Sequence, residues 1–313
     1  MTLELAEGTS LAPTDRMRRL EREATVRART RIRGGLTLGV RSIALATVVV
    51  ACTVGDEQEK AIGQDAAAQV EREVPLIGDP AVNEYVTRLG TTLATRSDDR
   101  AREWRFRVVD AEVVNAFALP GGFVFVNRGL IERAGSTSEL AGVLGHEIAH
   151  VLLRHSAQRI EKAEKTNLGV SVVCGLTNIC SSNAARIAID VGGAALFARF
   201  SRKDELEADS AAVGVLTRAG YDPGGIVSMF AKLLETREQT PDIVAGWFAS
   251  HPLEEDRIAA VARVIRASTP PNGESLIKDD TAFHEFQTRV HALPPSPPSP
   301  SPLPAASPAT SPP

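Results

Sequence analysis

Residues 145–155 read GHEIAHVLLRH, a run in which two histidines stand four apart and a glutamate directly follows the first. On an α-helix, positions four apart differ by roughly 40° in direction, so His146 and His150 project side by side, with Glu147 within about 100° of His146. Two neutral imidazoles at that spacing can chelate one Zn²⁺. A carboxylate one residue after the first can reach a water held there without being a ligand itself. The chemistry is metal-assisted hydrolysis; the alternative is a pair of histidines merely hydrogen-bonded in a core.

A catalytic zinc site takes three protein ligands and keeps one position open. No histidine stands six residues after His150, where position 156 is Ser, and His155 is expected on the flank of the helix. A second helix must supply the third ligand. SRKDELEADSAAVGVLTRAGYDP (201–223) has Ser201 as N-cap and Gly220 as terminator before Pro223. Glu205, Asp209, Ala212, Val213 and Leu216 line one face of it. A carboxylate among Ala and Val is costly unless it meets a metal or a donor, which favours Glu205 as the ligand. Asp209, one turn on, can accept a proton from the far nitrogen of a metal-bound histidine and so orient it. An ordinary amphipathic helix with acids near its positive end is the alternative.

Ser136 and Glu139 predict a capping box at the start of the first histidine helix, with Glu139 reaching back to the cap. Leu140, Val143, Leu144, Ile148, Val151 and Leu152 form its buried stripe. Helical spacing also marks residues 56–74 and 79–97, the second opened by Asp79 and Pro80. WRFRVVD (104–110) alternates as a strand does, and VVNAFALPGGFVFVN (113–127) reads as two strands joined at Pro120-Gly121-Gly122. The expected fold class is α+β, mostly helical, with a small antiparallel sheet beside the histidine helix.

Four segments in this order, NAFALPGG with FVFVNRGLI, HEIAHVLLRH, ELEAD and SHPLEEDRI, span about residues 60–268. Together they resemble the HtpX-like and CAAX-prenyl-protease-like zinc metallopeptidases, family 48 of the metallopeptidases, in their BepA-like bacterial envelope branch. The resemblance implies a zincin-like (gluzincin) fold and one Zn²⁺ on His146, His150 and Glu205. It also implies Glu147 as general base, and Asp209 as the group behind the ligands. His251 then faces the metal and donates to the oxyanion, with Arg257 anchoring that region; spacing alone leaves His251 open between a loop histidine and a catalytic one. The strand from Asn115 through Ala116, Phe117 and Ala118 to Leu119 would bind an extended substrate by strand addition. The implied substrates are unfolded or extended polypeptides of the cell envelope, with broad sequence tolerance. A chaperone or assembly factor with zinc as a structural plug is the competing class, and the intact Glu147 argues for the enzyme. Members of the branch carry a helical-repeat domain after the peptidase, where this sequence offers only LIKDDTAFHEFQTRVHAL and a proline-rich tail.

With 43% hydrophobic and 24% charged residues, 313 residues suffice for one sizeable core or two small ones. Residues 1–51 hold nine Arg against five Asp/Glu, so the rest of the chain is near −8, unlike a nucleic-acid binder. The basic stretch to Arg41, the apolar IALATVVVA and Cys52 stand in signal-peptide order, and VVAC resembles a lipobox. The expectation is a leader over 1–51 and a lipidated N-terminus over 52–55. The peptidase domain would occupy 56–292 and a disordered Pro/Ser-rich tail 293–313. A membrane anchor and an incidental apolar run are the alternatives for the leader. Cys174 and Cys180 form an even pair suited to a disulfide in an oxidising compartment, or two free thiols packed together.

Overall fold

The computed structural model describes residues 54–98, 100, 102–163, 199–252, 255–268 and 275–297. The leader with Cys52, the pair Cys174 and Cys180, and most of the tail lie outside the described residues. The described elements are α1 (Asp56–Glu73), α2 (Pro80–Thr95), β1 (Arg105–Val109), β2 (Ala116–Leu119), β3 (Phe123–Asn127), α3 (Arg128–Arg133) and α4 (Thr137–Leu152). After them come α5 (Arg202–Ala219), α6 (Gly224–Gln239), α7 (Pro241–Ser250), α8 (Glu255–Ala267) and α9 (Thr281–His291). Residues 155–163 are also helical. No helix among the described residues is long and apolar enough to cross a membrane.

The mostly helical architecture with a three-stranded sheet agrees with the expected class, with one correction. The sheet is mixed, not wholly antiparallel: its order is β1-β3-β2, with β2 antiparallel and β1 parallel to β3. Burial agrees with this order. FVFVN in β3 is buried at all five positions, consistent with a central strand covered on both faces. β1 and β2 each keep partly exposed positions and flank it. The turn between β2 and β3 uses Gly121 (φ 80°) and Gly122 (φ 105°), left-handed conformations that a side chain would strain. Among the described residues no strand pairs with the outer side of β2.

Helix α4 is buried from Thr137 to Val151 on every side, not along one stripe. The positions between its large apolar residues are Ala141, Gly142, Gly145 and Ala149, small enough for neighbours to approach on those faces as well. At its start a Cβ on Gly225 would collide with the Ser138 carbonyl, so α6 meets α4 backbone to backbone. Ser136 caps the helix by accepting from the Glu139 amide at 3.4 Å. Glu139 itself accepts from the Gly135 amide at 2.6 Å and pairs with Lys232 at 2.6 Å, so the expected reciprocal bond lands one residue early. A reciprocal box does open α5. There Ser201 Oγ accepts from the Asp204 amide at 3.2 Å, and Asp204 accepts from the Ser201 amide at 3.0 Å.

Candidate active site

Helices α4 and α5 pack against each other, and the face they share carries the chemistry. His146, Glu147 and His150 come from the middle of α4; Glu205 and Asp209 come from the first turns of α5. His251 caps the C-terminal end of α7, and Arg257 stands on α8. All seven side chains are buried.

His146 Nε2 and His150 Nε2 lie 3.1 Å apart, and each is 3.5 Å from a Glu205 oxygen. Bonds of about 2.0–2.1 Å at tetrahedral angles put ligand atoms about 3.3–3.4 Å from one another, so these three donors are spaced for one small ion. His251 Nδ1 joins the group at 3.4 Å from His146 Nε2 and 3.1 Å from Glu205 Oε1. The set His146, His150, Glu205 and His251 is therefore able to hold a metal ion.

The surrounding groups fix the donors. His146 Nδ1 lies 2.9 Å from Asp209 Oδ1, which leaves Nε2 for the metal side. Arg257 grips both acids, with Nη1 2.6 Å from Glu205 Oε2 and Nε and Nη2 each 2.8 Å from Asp209. It also donates to the Pro252 carbonyl at 2.8 Å, which ties the residue after His251 to α8. Trp247 stacks on His251 with ring centroids 4.6 Å apart, and Phe200 lies over His150 at 3.9 Å.

Protonation is set by these contacts. Burial favours neutral His146, but its bonds to Asp209 and Glu205 outweigh that and push it up to about 9. Burial pushes His150 well below the ordinary histidine value. For Glu205, burial is outweighed by bonds from His146 and His251, which hold it below the carboxylate range; for Asp209, bonds from His146 and Arg257 do the same. Glu147 differs. Burial pushes its carboxyl up, and neither oxygen has a hydrogen-bond partner among the described residues. His251 Nε2 stands 3.4 Å from Glu147 Oε1. A buried carboxylate beside a spaced donor set, faced by His251 at 3.4 Å, fits a metal with a water at this place.

A model of peptidase family M48 matches residues 80–265. The chain belongs to peptidase family M48. It is 30% identical over 216 residues to the beta-barrel assembly-enhancing protease of Escherichia coli (strain K12), covering 66% of this chain and 44% of that protein. The mitochondrial metalloendopeptidase OMA1 of Schizosaccharomyces pombe is 30% identical over 72% of this chain and 65% of its own length. The metalloprotease LoiP of E. coli is 28% identical over 66% of this chain and 80% of its own length. The chain thus spans less than half the length of the beta-barrel assembly-enhancing proteases it matches. The donor set of His146, His150 and Glu205 lies within the matched M48 region.

Of the residues singled out in the sequence, His146, Glu147, His150, Glu205, Asp209, His251 and Arg257 converge. The strand residues Ala116, Phe117 and Ala118 form most of β2, which packs along α4. Asn115 precedes it with its side-chain oxygen buried and unpaired among the described residues. Sequence reasoning missed Phe200 and Trp247, which act only through packing across the fold. Trp247, four residues before His251, carried a helical-spacing signal. It also misplaced His155, which is buried against His150 and not on the flank.

Proposed function

We propose that this M48 chain is a zinc-dependent endopeptidase of the bacterial cell envelope that cleaves unfolded or misassembled polypeptides. The observation that carries the proposal is the donor spacing of His146, His150 and Glu205 with the buried Glu147 carboxylate beside it. Zinc, when bound, polarises the scissile carbonyl and lowers the pKa of an adjoining water. Glu147 takes the proton from that attacking water and passes it to the leaving amine. His251 supplies the donor for the oxyanion that forms on the carbonyl oxygen. The open side of β2, from Asn115 to Ala118, receives the substrate as an added strand through main-chain hydrogen bonds, which demand little of its sequence. Broad specificity is the consequence.

A second reading has its own observation. His251 Nδ1 stands within the donor set, 3.1 Å from Glu205 Oε1, where a fourth ligand would close the site. In that state the chain is latent, or serves as a chaperone or assembly factor with zinc as a plug. Zinc quantification combined with cleavage of an unfolded protein by the purified chain separates the two. Zinc with cleavage supports the enzyme, zinc without cleavage supports the plug, and no zinc removes both.

The location proposed is the periplasmic side of the envelope, with 1–51 as leader, Cys52 lipidated at the start of 52–55, the peptidase domain over 56–292 and a spacer tail over 293–313. The order of basic stretch, apolar run and Cys52 supports it. Cys52→Ser is expected to abolish labelling by a fatty-acid analogue and to release the chain from membranes. Membrane association that survives Cys52→Ser would show an apolar anchor instead.

A further inference from the structure

His155 comes just after the metal-site helix and is fully enclosed, its side chain 1% exposed. Leu153 caps the C-terminal end of α4, and Arg154 takes a left-handed conformation, φ 58°. That reversal turns the next residue inward. Arg154 is held in it from α1, where Glu59 accepts from its Nε at 2.6 Å, and by a bond to the Val54 carbonyl. His155 Nδ1 then lies 2.9 Å from His150 Nδ1, while its Nε2 faces Glu207 Oε2 at 3.5 Å, with Asp204 in the same group.

We infer that His155 is a positioning residue that sets the tautomer and ring orientation of His150 by accepting its Nδ1 proton. The inference rests on the proposal that His150 ligates a metal. His150 Nε2 is the atom that faces His146 and Glu205, so it must be free of a proton to ligate, and the neutral ring then carries its proton on Nδ1. Two Nδ1 atoms 2.9 Å apart share one proton, so His155 Nδ1 is the acceptor. Its own proton sits on Nε2, toward Glu207 and Asp204. The reverse assignment would put a proton on His150 Nε2 and close that atom to a metal. The direction of this one hydrogen bond therefore decides whether His150 can ligate. The outer group of His155, Asp204 and Glu207 converges closely enough for a cation of its own. A cation on His155 Nε2 would drive that ring's proton to Nδ1, against His150, so the outer group works as an acceptor chain and not as a second metal site.

The test uses the full chain, zinc competition against a chromophoric chelator, and the visible spectrum of the Co²⁺-loaded protein. His155→Leu is expected to weaken zinc binding by about 10–100-fold, the range for loss of a partner behind a ligand, and to shift the Co²⁺ bands. His155→Asn places an oxygen acceptor at the δ position and is expected to recover most of that affinity and the original bands. Histidine ¹⁵N spectra of the zinc-loaded wild type are expected to show His155 protonated on Nε2 and His150 on Nδ1. Wild-type affinity in the Leu variant, equal weakness in both variants, a proton on His155 Nδ1, or two tightly bound zinc ions per chain would each overturn the inference while leaving the metal proposal standing. A wild-type chain that binds no zinc would overturn both.

Discussion

Glu147→Gln is expected to retain about one zinc per chain and to lose peptide cleavage by about 10²–10⁴-fold, the range for a general base. The amide fills the same space as the carboxylate, so the donor set is undisturbed, but it cannot take a proton from water. The same substitution carries a second signature. Glu147 is 1% exposed and has no hydrogen-bond partner among the described residues, so its ionised form is costly in the folded chain. Burial raises its pKa above the unfolded value, which means that stability falls as pH rises through the ordinary glutamate range and the group ionises more readily in the unfolded chain. Removing that charge is expected to raise the melting temperature of the metal-free protein at neutral pH. Loss of cleavage with unchanged zinc and a higher melting temperature marks a catalytic group held at the expense of stability. Retained cleavage would remove Glu147 from the mechanism.

Residue spacing made much of this site legible. His146, Glu147 and His150 lie on one uninterrupted helix, where periodicity fixes relative direction, and the same holds for Glu205 and Asp209 on α5. His155 was not legible because the helical period stops at Leu153 and the left-handed Arg154 redirects the chain toward the core. Helical geometry extended beyond that point gives the wrong face. The strand order was also hidden in the hairpin pattern: β1 pairs with β3 and not with its sequence neighbour β2, a pairing that alternation within each segment does not report. Arg257 and Trp247 owe their places to packing between helices distant in sequence, which periodicity within one helix does not report.

Glu205→Ala is expected to lose more metal affinity than the roughly 10–100-fold that loss of an outer partner causes, because it deletes a donor itself. In the wild type, zinc at about 1,000 times its dissociation constant adds about 4 kcal/mol to stability, read as a rise in melting temperature; in Glu205→Ala that rise is expected to vanish. Glu207→Ala provides the contrast. Its side chain is 45% exposed and faces His155 only at 3.5 Å, so zinc should remain bound. Zinc loss in Glu207→Ala as complete as in Glu205→Ala would mean that α5 presents a different face to α4. Proton release supplies an independent reading of the same donor. In the metal-free protein burial favours neutral His146, yet Asp209 and Glu205 together push it up to about 9, so it is protonated at pH 7. Zinc must displace that proton from Nε2. Binding is therefore expected to release about one proton at pH 7 and to strengthen as pH rises toward 9. Without Glu205 one of the two acids that hold the proton is gone, so both the proton release and the pH dependence of any residual binding should shrink. An unchanged proton count in Glu205→Ala would show that Asp209 alone sets the state of His146.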